Sequence, residues 1–123
     1  HLFPDSQSLV VDILSILYKN RKMNFFITTH SPYVLSAINN LILANDVIDG
    51  GSITLKEFKE INGHGEPIRF EDLSAYTISD GFSKSISDSE YRMLGGYILD
   101  EISEKFESVL NTLLERKEAT NGL

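Results

Sequence analysis

Apolar positions fall into several distinct patterns along this chain, and each predicts a different element. Leu9, Val10, Ile13, Leu14, Leu17 and Tyr18 recur at helical spacing behind two N-cap candidates, Asp5 and Ser6. They predict an amphipathic helix that ends near Asn20 and packs against a sheet. From Phe25 to Thr28, four apolar or β-branched residues run without alternation, as in a strand of a parallel sheet covered on both faces. Ser31-Pro32 then signals a helix start: the serine hydroxyl can accept a first-turn N–H, and proline gives up no hydrogen bond at the first helical position. That helix is expected over Pro32 to Asn40, burying Val34, Leu35 and Ile38.

Downstream the pattern shortens. Leu41 to Ile48 reads as a strand closed by the turn Asp49-Gly50-Gly51, and Ser52 to Ile61 as a strand with Ile53 and Leu55 on its buried face. Asn62-Gly63-His64-Gly65 makes a second turn, with His64 a solvent-exposed turn residue. Pro67 to Phe70 reads as a short edge strand, Ser74 to Ile78 as an extended segment and Asp80-Gly81 as a turn. Ser87-Asp88-Ser89-Glu90 reads as a helix cap, followed at helical spacing by Tyr91, Leu94, Tyr97, Ile98, Ile102, Phe106, Val109, Leu110, Leu113 and Leu114 as far as Arg116. Gly95-Gly96 predicts a kink or break there, and Ala119 to Leu123 a frayed end. The expected class is α/β: one strand–helix unit, an antiparallel β extension and C-terminal helices. Residues 1–86 form the main lobe and 87–123 a helical tail, whose apolar stripe packs on the same domain or on a partner.

Composition narrows the class. With 41% hydrophobic and 24% charged residues the chain reads as an ordinary globular domain, and no apolar run approaches the roughly 20 residues of a membrane span. Neither a signal sequence nor a cysteine is present, which together point to a cytoplasmic protein without disulfides or thiolate metal sites and without a membrane partner. A net charge of −7 repels nucleic acid. Lys19, Arg21 and Lys22 cluster at the end of the first helix, where positive charge complements the macrodipole.

His30 is the leading candidate for chemistry. It sits where a strand hands over to a helix; ligands collect at the carboxyl ends of strands in open α/β sheets, and helix N-termini favour anions. A histidine there can donate to a phosphate oxygen, with Thr29 and Ser31 beside it as candidate ligands that also suit strand-end and cap roles. His30 and Ser31 do not make a nucleophile pair, because adjacent side chains at such a turn point apart and Gly-x-Ser-x-Gly is missing. His1, His30 and His64 lack zinc-ligand spacing. Asp100, Glu101, Glu104 and Glu107 read as a solvated helix face.

The segment Phe26-Ile27-Thr28-Thr29-His30-Ser31-Pro32-Tyr33-Val34-Leu35, followed by Asn39-Asn40-Leu41-Ile42, resembles the switch-histidine segment of ABC-type ATPases related to SMC and RecF proteins. Stand-alone bacterial AAA-type ATPases of the overcoming-lysogenization-defect (OLD) kind are especially similar. His1-Leu2-Phe3-Pro4-Asp5-Ser6-Gln7 resembles the stretch just after the Walker B strand in the same proteins. The resemblance covers residues 1–45. It implies the C-terminal lobe of a P-loop ATPase in which two heads, a homodimer, sandwich ATP and Mg²⁺. His30 would sense the γ-phosphate, and His1, Leu2 and Pro4 would lie at the nucleotide or the head–head interface. It also implies coupling to DNA repair or phage defence through DNA or a nuclease partner. Gly-x-x-x-x-Gly-Lys-Ser/Thr is absent, as are the signature and Walker B motifs. The chain is therefore expected to be a fragment, inactive alone, of a longer ATPase. The alternative is a non-enzymatic α/β module for interaction or oligomerisation.

Overall fold

The computed structural model describes residues 3–96, 104 and 108–116. Three α-helices come first: α1 (Pro4–Arg21), α2 (Pro32–Asp49) and α3 (Leu55–Asn62). A 3₁₀ turn (Phe70–Asp72) leads to two hairpins, β1 (Tyr76–Ser79) with β2 (Phe82–Ser85) and β3 (Ser87–Asp88) with β4 (Met93–Leu94). Both are antiparallel and two-stranded. The class is mixed α/β, and residue 104 and residues 108–116 are helical.

The helix expected first is present, but it packs against α2 in place of a sheet and buries Val11, Asp12 and Ser15, while Leu9, Val10 and Ile13 of the expected stripe are exposed. Its N-cap is Phe3, with Pro4 in the first turn, in place of Asp5 or Ser6. Ser31 caps α2 as expected: its hydroxyl accepts the Tyr33 N–H at 3.2 Å, with Pro32 just inside. α2 does not stop at Asn40. Leu41, Ile42, Ala44 and Asn45 are buried, a helical spacing, so the strand expected over Leu41–Ile48 is the second half of this helix. The strand expected over Ser52–Ile61 is α3, started by a capping box in which the Thr54 hydroxyl accepts the Glu57 N–H while the Glu57 carboxylate accepts the Thr54 N–H. Pro67–Phe70 forms no edge strand and ends in the 3₁₀ turn.

The strand expected over Phe25–Thr28 is not formed. Residues 22–30 have no regular structure, and all are exposed, Phe26 to 94%. Among the described residues no backbone hydrogen bond reaches residues 24–30. A strand exists only beside a neighbour, and among the described residues this segment has none. The expected parallel strand–helix unit is likewise absent from the described residues. Asp80-Gly81 does form the tight β1–β2 turn, with φ of 51° and 80°, the left-handed pair that suits a two-residue hairpin. Ser87–Glu90 does not cap a helix. The Asp88 carboxylate accepts the Glu90 and Tyr91 N–H groups at 3.0 Å each and folds the β3–β4 turn instead. Helical structure resumes at Gly96, after Gly95 at φ 61°. Tyr97, Ile98, Ile102 and Phe106 of the expected tail, Asp100, Glu101 and Glu107 of its charged face, and the end from Ala119 to Leu123 lie outside the described residues.

The core gathers Val11 of α1, Leu41 and Ala44 of α2, Phe58 of α3 and Ile68, with Val34, Ala37, Ile38, Ile48, Ile53 and Leu73 against them. Each fully buried aliphatic or aromatic side chain here contributes about 1.5–3 kcal/mol. α2 also anchors the hairpins through polar groups. The Asn39 amide donates to the Leu94 carbonyl at 2.9 Å and accepts the Leu94 N–H at 2.7 Å, standing in for a neighbouring strand. Asp46 holds Arg92 in a fork at 2.9 and 3.0 Å, while Arg92 also pairs with Glu71 and lies over the Phe70 ring. The hydrogen bond from Arg92, followed by one from its own backbone, lowers the Glu71 pKa from 4.5 to about 2. A carboxylate with a depressed folded pKa stabilises the fold above its unfolded pKa, and that contribution fades as pH falls towards the folded value. Glu71→Gln is therefore expected to flatten the pH dependence of the urea midpoint between 4.5 and about 2 and to leave its slope above 4.5 unchanged. Because Glu71 is solvent-exposed, the change is expected to be small. An unchanged acid limb would show that the Arg92 contact is not formed in solution.

Candidate functional site

The start of α2 lies beside the second turn of α1. The Thr29 hydroxyl accepts the Ser31 N–H at 3.0 Å and tightens the approach to the helix. The Ser31 hydroxyl works twice: it accepts the Tyr33 N–H and donates to the Gln7 side-chain carbonyl on α1. Gln7, Thr29, His30, Ser31 and Val34 line one shallow, open depression.

Of the residues singled out in the sequence, Thr29, His30 and Ser31 meet in this depression. Pro4 is exposed in the first turn of α1 and does not line it. His1 and Leu2 lie outside the described residues. Gln7 was not singled out as a site residue. Its signal was its place at the end of the His-Leu-Phe-Pro-Asp-Ser-Gln stretch. The His30 side chain is exposed, and no other described residue hydrogen-bonds to it. Its imidazole is thus open to an outside acceptor, at the helix end where the dipole favours negative charge. An anion seated there could take a hydrogen bond from His30 and another from the Thr29 hydroxyl, whereas the Ser31 hydroxyl proton is already given to Gln7.

Lys19 and Lys22 line a second depression with Tyr18, Asn24 and Asp72. There the Tyr18 hydroxyl donates to Asp72 at 2.7 Å. That bond, with some burial, raises the Tyr18 pKa, so the phenol stays protonated. The Asp72 carboxylate offsets the lysines, and their position at the end of α1 is accounted for by the macrodipole. Among the described residues no group of three or more His, Asp or Glu side chains could hold a metal ion, and no helix is long and apolar enough to cross a membrane.

Comparison with protein-family models, with curated proteins and with solved structures gave no match for this chain.

The double use of the Ser31 hydroxyl generates a stability prediction. Ser31→Ala removes both the cap and the link to Gln7, and is expected to cost about 1 kcal/mol of unfolding free energy, with Ser31→Thr recovering most of it. Urea unfolding of the three chains measures this; an alanine variant as stable as the parent would contradict the assigned geometry.

Proposed function

We propose that this chain is the C-terminal lobe of an ABC/SMC-like P-loop ATPase of the OLD-like kind, in which His30 contacts the γ-phosphate of ATP held with Mg²⁺ between two heads. The observation that carries the reading is a convergence. Gln7 closes the first stretch that resembles the family, Thr29-His30-Ser31 is the centre of the second, and the two line one depression joined by the Ser31–Gln7 hydrogen bond. Exposed apolar surface supports it further. Leu9, Val10 and Ile13, the stripe that predicts α1, are about half exposed, as are Phe25 and Ile27, while Phe26 is almost fully so. A sheet in a larger protein would cover such surfaces.

In this reading the residues present fit a terminal phosphate, with the His30 imidazole as donor and the Thr29 hydroxyl beside it. They do not provide a phosphate cradle, which would come from a Walker A loop elsewhere in the longer protein. Phosphoryl transfer depends on positioning and on charge stabilisation where the phosphoryl oxygens gain negative character, and His30 would supply one such donor. ATP and Mg²⁺ supply the reacting phosphoryl group and its charge neutralisation. The lobe by itself would be inactive. A cytoplasmic setting, a second head as partner and a role in DNA repair or phage defence with DNA or a nuclease partner belong to the same reading and rest on the sequence resemblance. The net charge of −7 assigns any DNA contact to another part of the protein.

A second reading, a non-enzymatic interaction or oligomerisation module, is favoured by the helical residues 108–116, where Val109, Leu110, Leu113 and Leu114 are all exposed. The experiment that separates the two is His30→Ala in the longer ATPase. The ATPase reading expects kcat to fall about a hundredfold, the usual loss for one transition-state donor, with KM for ATP changed far less. A variant with full kcat would overturn it.

A further inference from the structure

Asn62 is the last residue of α3 and is followed by Gly63, whose φ of 85° reverses the chain. The loop beyond is seated on a buried polar patch of α1. Asp12, only 7% exposed, faces the Asn62 side-chain amide, whose Nδ2 donates to Asp12 Oδ1 at 3.4 Å. Ser15, also buried, donates to the Asp12 carbonyl at 2.6 Å and accepts the Glu66 N–H at 2.9 Å. Gly65 is pressed between these groups: a Cβ there would lie closer than 3.0 Å to Asp12, Asn62 and Leu41. Lys59 closes the loop by bonding to the Gly65 carbonyl at 3.0 Å and pairing with Glu66.

We propose that Asn62-Gly63 is a deamidation site whose conversion unlocks this loop from α1. Gly63 has no Cβ to hinder its own nitrogen from approaching the Asn62 side-chain carbonyl carbon. When it attacks, the Gly63 nitrogen loses its proton and bonds to Asn62 Cγ, and ammonia leaves to give a cyclic imide. Water then opens the ring at either carbonyl, giving aspartate or isoaspartate. No oxidant or enzyme is needed, and loss of ammonia makes the change one-way. The fold restrains the first step, because the Gly63 N–H is engaged by the Lys59 carbonyl at 2.8 Å and Asn62 is held in helical backbone. Reaction therefore proceeds through fraying of the last turn of a short helix. The aspartate product puts a second carboxylate against buried Asp12, where like charges disfavour each other. The isoaspartate product adds an atom to the main chain at the point where Gly65 has no room to shift. Either product trades the Asn62–Asp12 contact for repulsion or misfit.

The test uses the whole chain, incubated at neutral pH both folded and in urea, then cleaved with trypsin. The peptide Glu60–Arg69 contains Asn62 as its one asparagine, and Glu118–Leu123 carries a second Asn-Gly, Asn121-Gly122, as an internal reference for the rate in urea. Mass spectrometry is expected to show Asn62 converting about tenfold or more slowly in the folded chain than in urea, the protection that local opening imposes. Asn62→Asp is expected to lower the urea midpoint, and adding Asp12→Asn to restore most of it; an Asn62→Asp chain that folds only with Asp12→Asn supports the proposal equally. Equal rates folded and in urea would overturn the gate. An Asn62→Asp chain as stable as the parent, or one that Asp12→Asn fails to rescue, would overturn the lock.

Discussion

The structure depends on α2 staying helical through its full length. Asn39 and Asp46 are seven residues apart, two helical turns, and so fall on one face. From that face Asn39 holds the backbone of Leu94, and Asp46 holds Arg92, which in turn draws in Glu71 and Phe70. A break at Asn40 would send these two anchors in different directions and release both the β3–β4 hairpin and the 3₁₀ turn. Leu41 and Ala44 belong to the same continuous helix and supply its share of the core, and the Leu41 carbonyl also accepts the Ile68 N–H at 3.1 Å. One uninterrupted helix thus carries both the apolar and the polar attachments of its neighbours.

The same constraint explains which parts of the fold were legible in the sequence. Elements fixed by local chemistry were readable: the spacing of α1, the Ser31-Pro32 helix start and the Asp80-Gly81 turn each depend on residues within a few positions. The second half of α2 was not, because Leu41-Ile42-Leu43 fits a buried strand and a buried helix equally, and only the distant partners of Asn39 and Asp46 decide between them. α3 did carry a local signal, the pair Thr54 and Glu57, which an apparent alternation of Ile53 and Leu55 concealed. Asp88 illustrates a different ambiguity. A carboxylate that takes two nearby backbone N–H groups serves a hairpin turn as readily as a helix cap, and the pairing of Ser87 with Leu94 chooses the turn.

Candidate site residues were legible for a similar reason. Thr29, His30 and Ser31 stand at a boundary that the serine–proline pair marks by itself. Gln7 was harder to see, because its partner lies 24 residues away and the contact exists only once α1 and α2 are packed. Phe25 to Thr28 has the composition of a buried strand and yet lies exposed. Composition specifies what a segment can pair with, and a strand forms only when a neighbour is there. In the proposed ATPase the neighbour is a sheet belonging to the rest of the protein, which would also cover Leu9, Val10 and Ile13.

Amide hydrogen exchange over residues 24–30, measured in this chain alone and in the intact native gene product, tests that claim most directly. The account predicts rapid exchange in the isolated chain, strong protection in the intact product, and similar protection of α2 in both. Residues 24–30 that exchange freely in both would contradict it, because the apolar run would then have no sheet to join.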